Sequence, residues 1–528
     1  MPRLPRPSRP RNPLAGRPPG FRRRAAAVAG VLSLYLLIRF APLPGIPCGL
    51  SAVKDCDTEP AAISLVPADA YAYGHIELDT GDDQVAAAAD LVAKLPDFEQ
   101  ILQGSAQAGG LSTGIDLRDQ LEWVGDEAAF AVLPGRSGAP LPVALLEIGD
   151  EKGAEQFAGQ SGLASARRGG FLVLGDGAAV GTSTAAESGA ESLEDDPAAA
   201  DVLGALPDDR LADAYVSEDG VDQLLQGRGG LAAQLDTFAD YGASTGIGAA
   251  LVAADDGIAL HLHSALDPER VEAAPGFFTA FPSFEPGLAD ALAPDTLAAL
   301  SIGDPSKTVR SLLEQADAAV PGIAGAFDRL NADLQRQGAV DLERGLLPLL
   351  DGEAVAAVAP GGRIPYVTMV FDDVEEAPVR EAVARLQGPL IAAIDPARSG
   401  VAPTFSQRRV DDVVVRGLRL APGVDLTYAI FDGRLVIATD SRGVEQAIEG
   451  EDSLAGTDSF ETAAAGSTDG VSALVFLNLQ GLVELAEPIG LAEIVAGFRS
   501  DLERLKALGL TTRSDEDSLD TEIFLEIR

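Results

Sequence analysis

The apolar residues fall into short blocks divided by Gly, Pro and Asp, and two stretches carry the same succession of blocks. In the first, Gly125-Asp126-Glu127 opens an apolar run that ends at Pro134-Gly135, and Pro142–Ile148 follows. In the second, Asp351-Gly352-Glu353 opens a run that ends at Pro360-Gly361, and Pro365–Phe371 follows. Glu127 aligns with Glu353, and the two Pro-Gly pairs align with each other. Such self-similarity predicts a duplicated unit. Runs of this length bounded by turn residues predict paired antiparallel strands.

Tyr71, Tyr73, His75 and Glu77 alternate with Ala72, Gly74, Ile76 and Leu78, the period of a half-buried strand. Val85, Ala88, Ala89, Val92 and Leu95 recur at helical spacing. A helix is expected over 152–160, with Asp150 at its start. Asp176-Gly177 and Asp432-Gly433 each lie between apolar runs and predict two-residue hairpins. Asp255-Asp256-Gly257 predicts another. Leu519–Ile527 echoes Ile258–Leu266 and should tie the end of the chain into a sheet. The resulting fold class is α+β. Two tandem homologous domains, 61–267 and 287–528, each carry an antiparallel, meander-like sheet with helices on one face.

The chain has 528 residues, too many for one core, since cores stop growing near about 250–300 residues. The average charge, −42, conceals two regions. Nine of the 39 basic residues lie in 1–41, where there is no acid, which leaves 30 basic against 81 acidic residues in the remainder. An acidic body does not suit nucleic acid, because phosphate contacts need Lys and Arg.

Residues 1–24 are rich in Pro and Arg and read as a basic cytoplasmic arm without a core. Ala25–Ile38 is the most apolar run and follows Arg22-Arg23-Arg24. Extended to Ala41 it reads as a single transmembrane signal anchor, with the positive arm inside and the body outside the cytoplasm. A cleaved signal peptide and a lipoprotein acylated at Cys48 are the alternatives. Neither has a good cleavage site before it. Residues 42–60 form a linker with Cys48 and Cys56, which could close a small disulfide loop outside the cytoplasm. Residues 268–286 form a second linker with Phe277, Phe278, Phe281 and Phe284, either a docking patch or rings packed at a domain interface.

Chemistry-bearing motifs are sparse. His75, His261 and His263 are the only histidines, and neither a nucleophile elbow nor a phosphate loop is present. No metal site, cofactor or catalytic residue is expected. Adjacent acids such as Asp372-Asp373 are common with 81 acids in the chain.

The order of elements resembles the DUF3352 family of membrane-anchored proteins of unknown function. The matching stretches are Leu65-Val66-Pro67-Ala68-Asp69 before a strand, Trp123-Val124-Gly125-Asp126-Glu127 before the paired strands, and the Asp176-Gly177 turn. The resemblance covers nearly all of 61–528 and implies the architecture only. Three functions stay open. A non-enzymatic extracytoplasmic module would bind a protein, envelope polymer or lipid. A carrier would enclose an apolar ligand. A hydrolase would use carboxylates at the domain junction. A large apolar cavity would favour the carrier.

Overall fold

The computed structural model describes residues 61–95, 122–135, 139–183, 191–225, 236–310, 313, 322–337, 340–361, 364–393, 405–421, 424–450, 452–464, 470–486 and 503–528. The basic arm, the apolar run 25–41, Cys48 and Cys56 lie outside the described residues. Among the described residues, no helix is long and apolar enough to cross a membrane. The chain divides into two compact units, 1–200 and 201–528.

Among the described residues, unit 1 has five strands: β1 (Ala72–Glu77), β2 (Val124–Pro134), β3 (Pro140–Ile148), β4 (Ala164–Arg168) and β5 (Phe171–Gly175). All pairings are antiparallel, in the order β1-β2-β3-β5-β4. The chain leaves β3, forms helix α1 (Glu151–Ser161), and returns so that β5 rather than β4 lies beside β3. The arrangement is therefore not a simple meander. Asp150 caps α1 by accepting from Gly153 N at 2.8 Å, as its position before the helix suggested. β1 departs from the expected half-buried pattern: Ala72, Tyr73 and Ile76 are all buried, so both of its faces are covered.

Asp176-Gly177 is not a hairpin. Gly177–Ser183 is a helix, α2, and Asp176 starts it by accepting from Ala178 N at 3.0 Å. The two-residue turn sits seven residues earlier, at Gly169-Gly170, where φ is +49° and +88°. The reason is that Asp-Gly serves equally well as a turn and as a helix start, because the Asp side chain satisfies nearby backbone N–H groups in both. The Gly-Gly pair reaches the left-handed region at no steric cost.

Among the described residues, unit 2 has thirteen strands: β6 (Ala212–Ser217), β7 (Ser244–Ala254), β8 (Gly257–Leu266), β9 (Ala298–Gly303), β10 (Glu353–Ala359), β11 (Tyr366–Phe371), β12 (Phe405–Val410), β13 (Val413–Ala421), β14 (Val424–Phe431), β15 (Arg434–Ala438), β16 (Ala473–Asn478), β17 (Leu505–Ser514) and β18 (Ser518–Ile527). Antiparallel pairing runs through β6-β7-β8-β18-β17-β16-β9-β10-β11-β15-β14-β13-β12. The hairpins at Asp255-Asp256 and Asp432-Gly433 stand where the sequence placed them. The last strand, β18, lies between β8 and β17, so the chain end is tied down.

Helices cover both faces of the β11-β15-β14 region, which corrects the expectation of one covered face. Alternate residues of β15 separate into two cores. Val436 and Ala438 pack with Val444 of helix α3 (Ser441–Glu449), while Leu435 packs with Val379 of helix α4 (Glu376–Ala393). A strand buried on both faces loses the apolar–polar alternation from which a single covered face is read.

Candidate functional site

The α4 side of this sheet is not filled. β11 alternates cleanly: Tyr366, Thr368 and Val370 are buried, whereas Val367 and Met369 face outward at 39% and 36% exposure. The same face continues with Leu435 and Ile437 of β15, Leu426 and Tyr428 of β14, and Phe405 of β12. Over it lie Val383, Leu386, Gln387 and Leu390 of α4. Phe327, on a helix at Ile323–Arg336, and the leucines of two short turns, Leu342–Leu346 and Leu347–Leu349, complete the cover. Between sheet and cover is a cavity of about 340 Å³. That lies within the range of about 300–1,000 Å³ typical of small-molecule sites. Among the described residues, Gln387 and Tyr428 are the only lining side chains with polar atoms able to donate a hydrogen bond. Tyr428 Oη accepts from Gln387 Nε2 at 2.6 Å and from Arg416 Nη1 at 3.4 Å. Met369 is both lining and part-exposed, so the cavity reaches solvent beside it. Pro389, inside α4, cannot donate the helical hydrogen bond to Arg385, which weakens the cover at that point.

A second, larger hollow of about 490 Å³ lies on β8, β18 and β17 and is polar. His263 Nδ1 is 2.7 Å from Asp520 Oδ1, and His261 Nδ1 is 3.9 Å from Glu522 Oε2. Each histidine faces the carboxylate directly opposite it on the neighbouring strand. The two contacts are local cross-strand pairs, and the hollow around them is open, with Asp208 and Arg513 also in its lining. His75 lies in unit 1, with Nε2 3.8 Å from Glu127 Oε1. Among the described residues, no group of three His, Cys, Asp or Glu side chains is arranged to hold a metal ion.

The two aligned glutamates are structural caps. Glu127 accepts from Ala61 N and Ala62 N, each at 3.0 Å. Glu353 accepts from Gly287 N at 2.7 Å and Leu288 N at 3.0 Å. Each carboxylate thereby satisfies the free N–H groups that begin a short 3-10 turn, Ala61–Leu65 or Leu288–Ala291. Burial pushes both carboxyls above the ordinary Glu range, and the bonds they accept partly offset it.

The four phenylalanines do not form an exposed docking patch. Phe278 and Phe281 are buried at 4%, and Phe277 packs edge-on to both, with centroids at 4.7 and 4.9 Å. Leu266, Ile302 and Leu510 complete this core within unit 2. Phe284 joins a bridge to Val471, donating its N–H at 2.8 Å.

The sequence did not reveal the cavity. Its available signals were the outward apolar side chains of β11 and the leucine-rich 342–350.

The described residues form an antiparallel α+β fold with an apolar cavity and capping glutamates, a class defined by architecture. The chain belongs to the family described as protein of unknown function, DUF3352, whose model matches residues 164–527. That match begins at β4, after the Leu65 and Trp123 motifs. No curated protein and no solved structure matches the chain.

Proposed function

We propose that the protein is a non-enzymatic carrier that holds a single apolar chain in the cavity of unit 2. The supporting observation is a cavity of about 340 Å³ walled by leucine, phenylalanine, isoleucine, valine and methionine. Filling it with hydrocarbon recovers about 0.8 kcal/mol per methylene removed from water. At roughly 30 Å³ for each water-sized group, it has room for about eleven such groups, one acyl chain rather than two. Glu127 and Glu353 are engaged as caps, which leaves neither free to serve the carboxylate hydrolase.

The apolar run 25–41 after three arginines supports a membrane-anchored protein whose body lies outside the cytoplasm. In this reading the ligand comes from the adjacent envelope lipid. Tandem duplication of 61–267 and 287–528 belongs to the same proposal. Its support is the shared capping geometry and a second matched bond: Leu193 N donates to Val66 O at 2.7 Å, and Leu454 N donates to Leu292 O at 3.0 Å.

Photo-crosslinking tests the carrier reading. The full chain in its membrane is irradiated with a diazirine-bearing acyl probe, and the adducts are mapped by mass spectrometry. Adducts should concentrate on 342–350, 366–371 and 426–437 and fall in Leu426→Trp, which fills the cavity. Adducts scattered over the surface, unchanged by Leu426→Trp, would refute it.

A further inference from the structure

The geometry points to a fatty acid, an apolar chain ending in a carboxylate, as the ligand of this cavity. The inference rests on the carrier reading and adds the chemistry of the polar end. β13 and β14 place Arg416 directly opposite Tyr428, on the face that lines the cavity. The Tyr428 oxygen accepts two hydrogen bonds, from Gln387 Nε2 and Arg416 Nη1. Its own proton has no acceptor among the described residues, and a phenol has one proton to donate. Arg416 likewise has no carboxylate partner among the described residues. Its neighbours Arg408 and Arg419 do, pairing with Glu445 and Asp425. In a body with a large acid excess, a half-buried arginine whose side-chain partner among the described residues is a phenol suits an anion. A planar guanidinium and a phenol O–H together match the two oxygens of a carboxylate. The chain would then run from Tyr428 along Ile437 and Leu435 toward Leu350. The volume admits one chain, too little for both chains of a diacyl lipid.

The test uses the full chain in its membrane and three diazirine probes of equal length: the fatty acid, its methyl ester and a lysophospholipid. Labelling of the cavity peptides is read against probe concentration. For wild type, the acid should half-saturate at least about tenfold below the ester, the scale of one charge-assisted hydrogen bond. Arg416→Gln should abolish that difference by weakening the acid alone, and Arg416→Lys should restore part of it. Melting temperatures of both variants show whether the fold is intact. Equal labelling by acid and ester, unmoved by Arg416→Gln, would overturn the carboxylate inference and leave the carrier standing. A lysophospholipid that outcompetes the acid would also overturn it, in favour of a phosphate head. Absence of cavity labelling by every probe would overturn the carrier reading itself.

Discussion

Arg416 and Tyr428 are cross-strand partners whose side chains meet at 3.4 Å on the rim of an apolar cavity. The phenol couples a charged group outside the cavity to hydrocarbon inside it. Tyr428→Phe keeps the wall but removes the acceptor used by Gln387 and Arg416. It should cost about 1 kcal/mol, the net value of an ordinary hydrogen bond, read as a modest fall in melting temperature. A loss several times larger would mean that the phenol holds the sheet together rather than the rim.

The turns separate by backbone geometry. Gly433 (φ +74°) and Gly170 (φ +88°) occupy the left-handed region, whereas Gly177 begins a helix and has only Ala164 Cβ, at 3.9 Å, near an added Cβ. Gly433→Val and Gly170→Val should each lower stability by roughly 1–2 kcal/mol. Gly177→Val should do markedly less. Thermal unfolding of the full chain checks this, and equal losses at Gly177 and Gly170 would contradict the assigned turns.

Glu353 gives a pH signature. Burial raises its carboxyl, so the folded chain holds the proton to higher pH than the unfolded chain does. Stability from this group therefore falls as pH rises from the ordinary Glu value, about 4.3, through the raised folded value. Below that window the group is neutral in both states, so its contribution is fully present and no longer changes with pH. Glu353→Gln removes this dependence while its amide oxygen can still accept from Gly287 and Leu288. The melting temperature of wild type relative to Glu353→Gln should rise as the pH is lowered from neutral toward that window. A difference constant with pH would show that the carboxyl is not raised.

Leu435 and Leu288 are both buried, at 1% and 0%, but Leu435 already borders empty space. Leu435→Ala widens an existing cavity, whereas Leu288→Ala opens a new one in a packed core. Within the usual range of about 2–5 kcal/mol for such truncations, Leu435→Ala should fall near the bottom and Leu288→Ala near the top. Chemical denaturation of the two variants measures the order, and the reverse order would mean that the cavity is closed by packing in solution.

Much of the sheet was legible because it is written in local pattern. Glu127 and Glu353 were aligned from sequence, and both prove to cap the same kind of turn. Asp432-Gly433 was read correctly, while Asp176-Gly177 was not, since one dipeptide suits a turn and a helix start alike. Equal numbers of residues separate β1 from β9 and Glu127 from Glu353, so Ser301 stands where His75 does. The same reasoning on β8 and β18 sets Glu522 and Phe524 against His261 and His263. The cavity was illegible for a different reason. Its wall is drawn from elements scattered between Phe327 and Ile437, and a void is a lack of filling atoms, which no periodicity records. Arg416 is 12 residues from Tyr428 in the chain, and only strand pairing brings the two side chains together.

Crystals of the chain grown with a fatty acid brominated at its tail would locate the ligand by anomalous scattering. The expected result is one bromine peak inside the cavity, among Leu346, Leu350 and Leu435, with the carboxylate within hydrogen-bond distance of Tyr428 and Arg416. A cavity without bromine, or a peak only in the His261–Glu522 hollow, would contradict the carrier function.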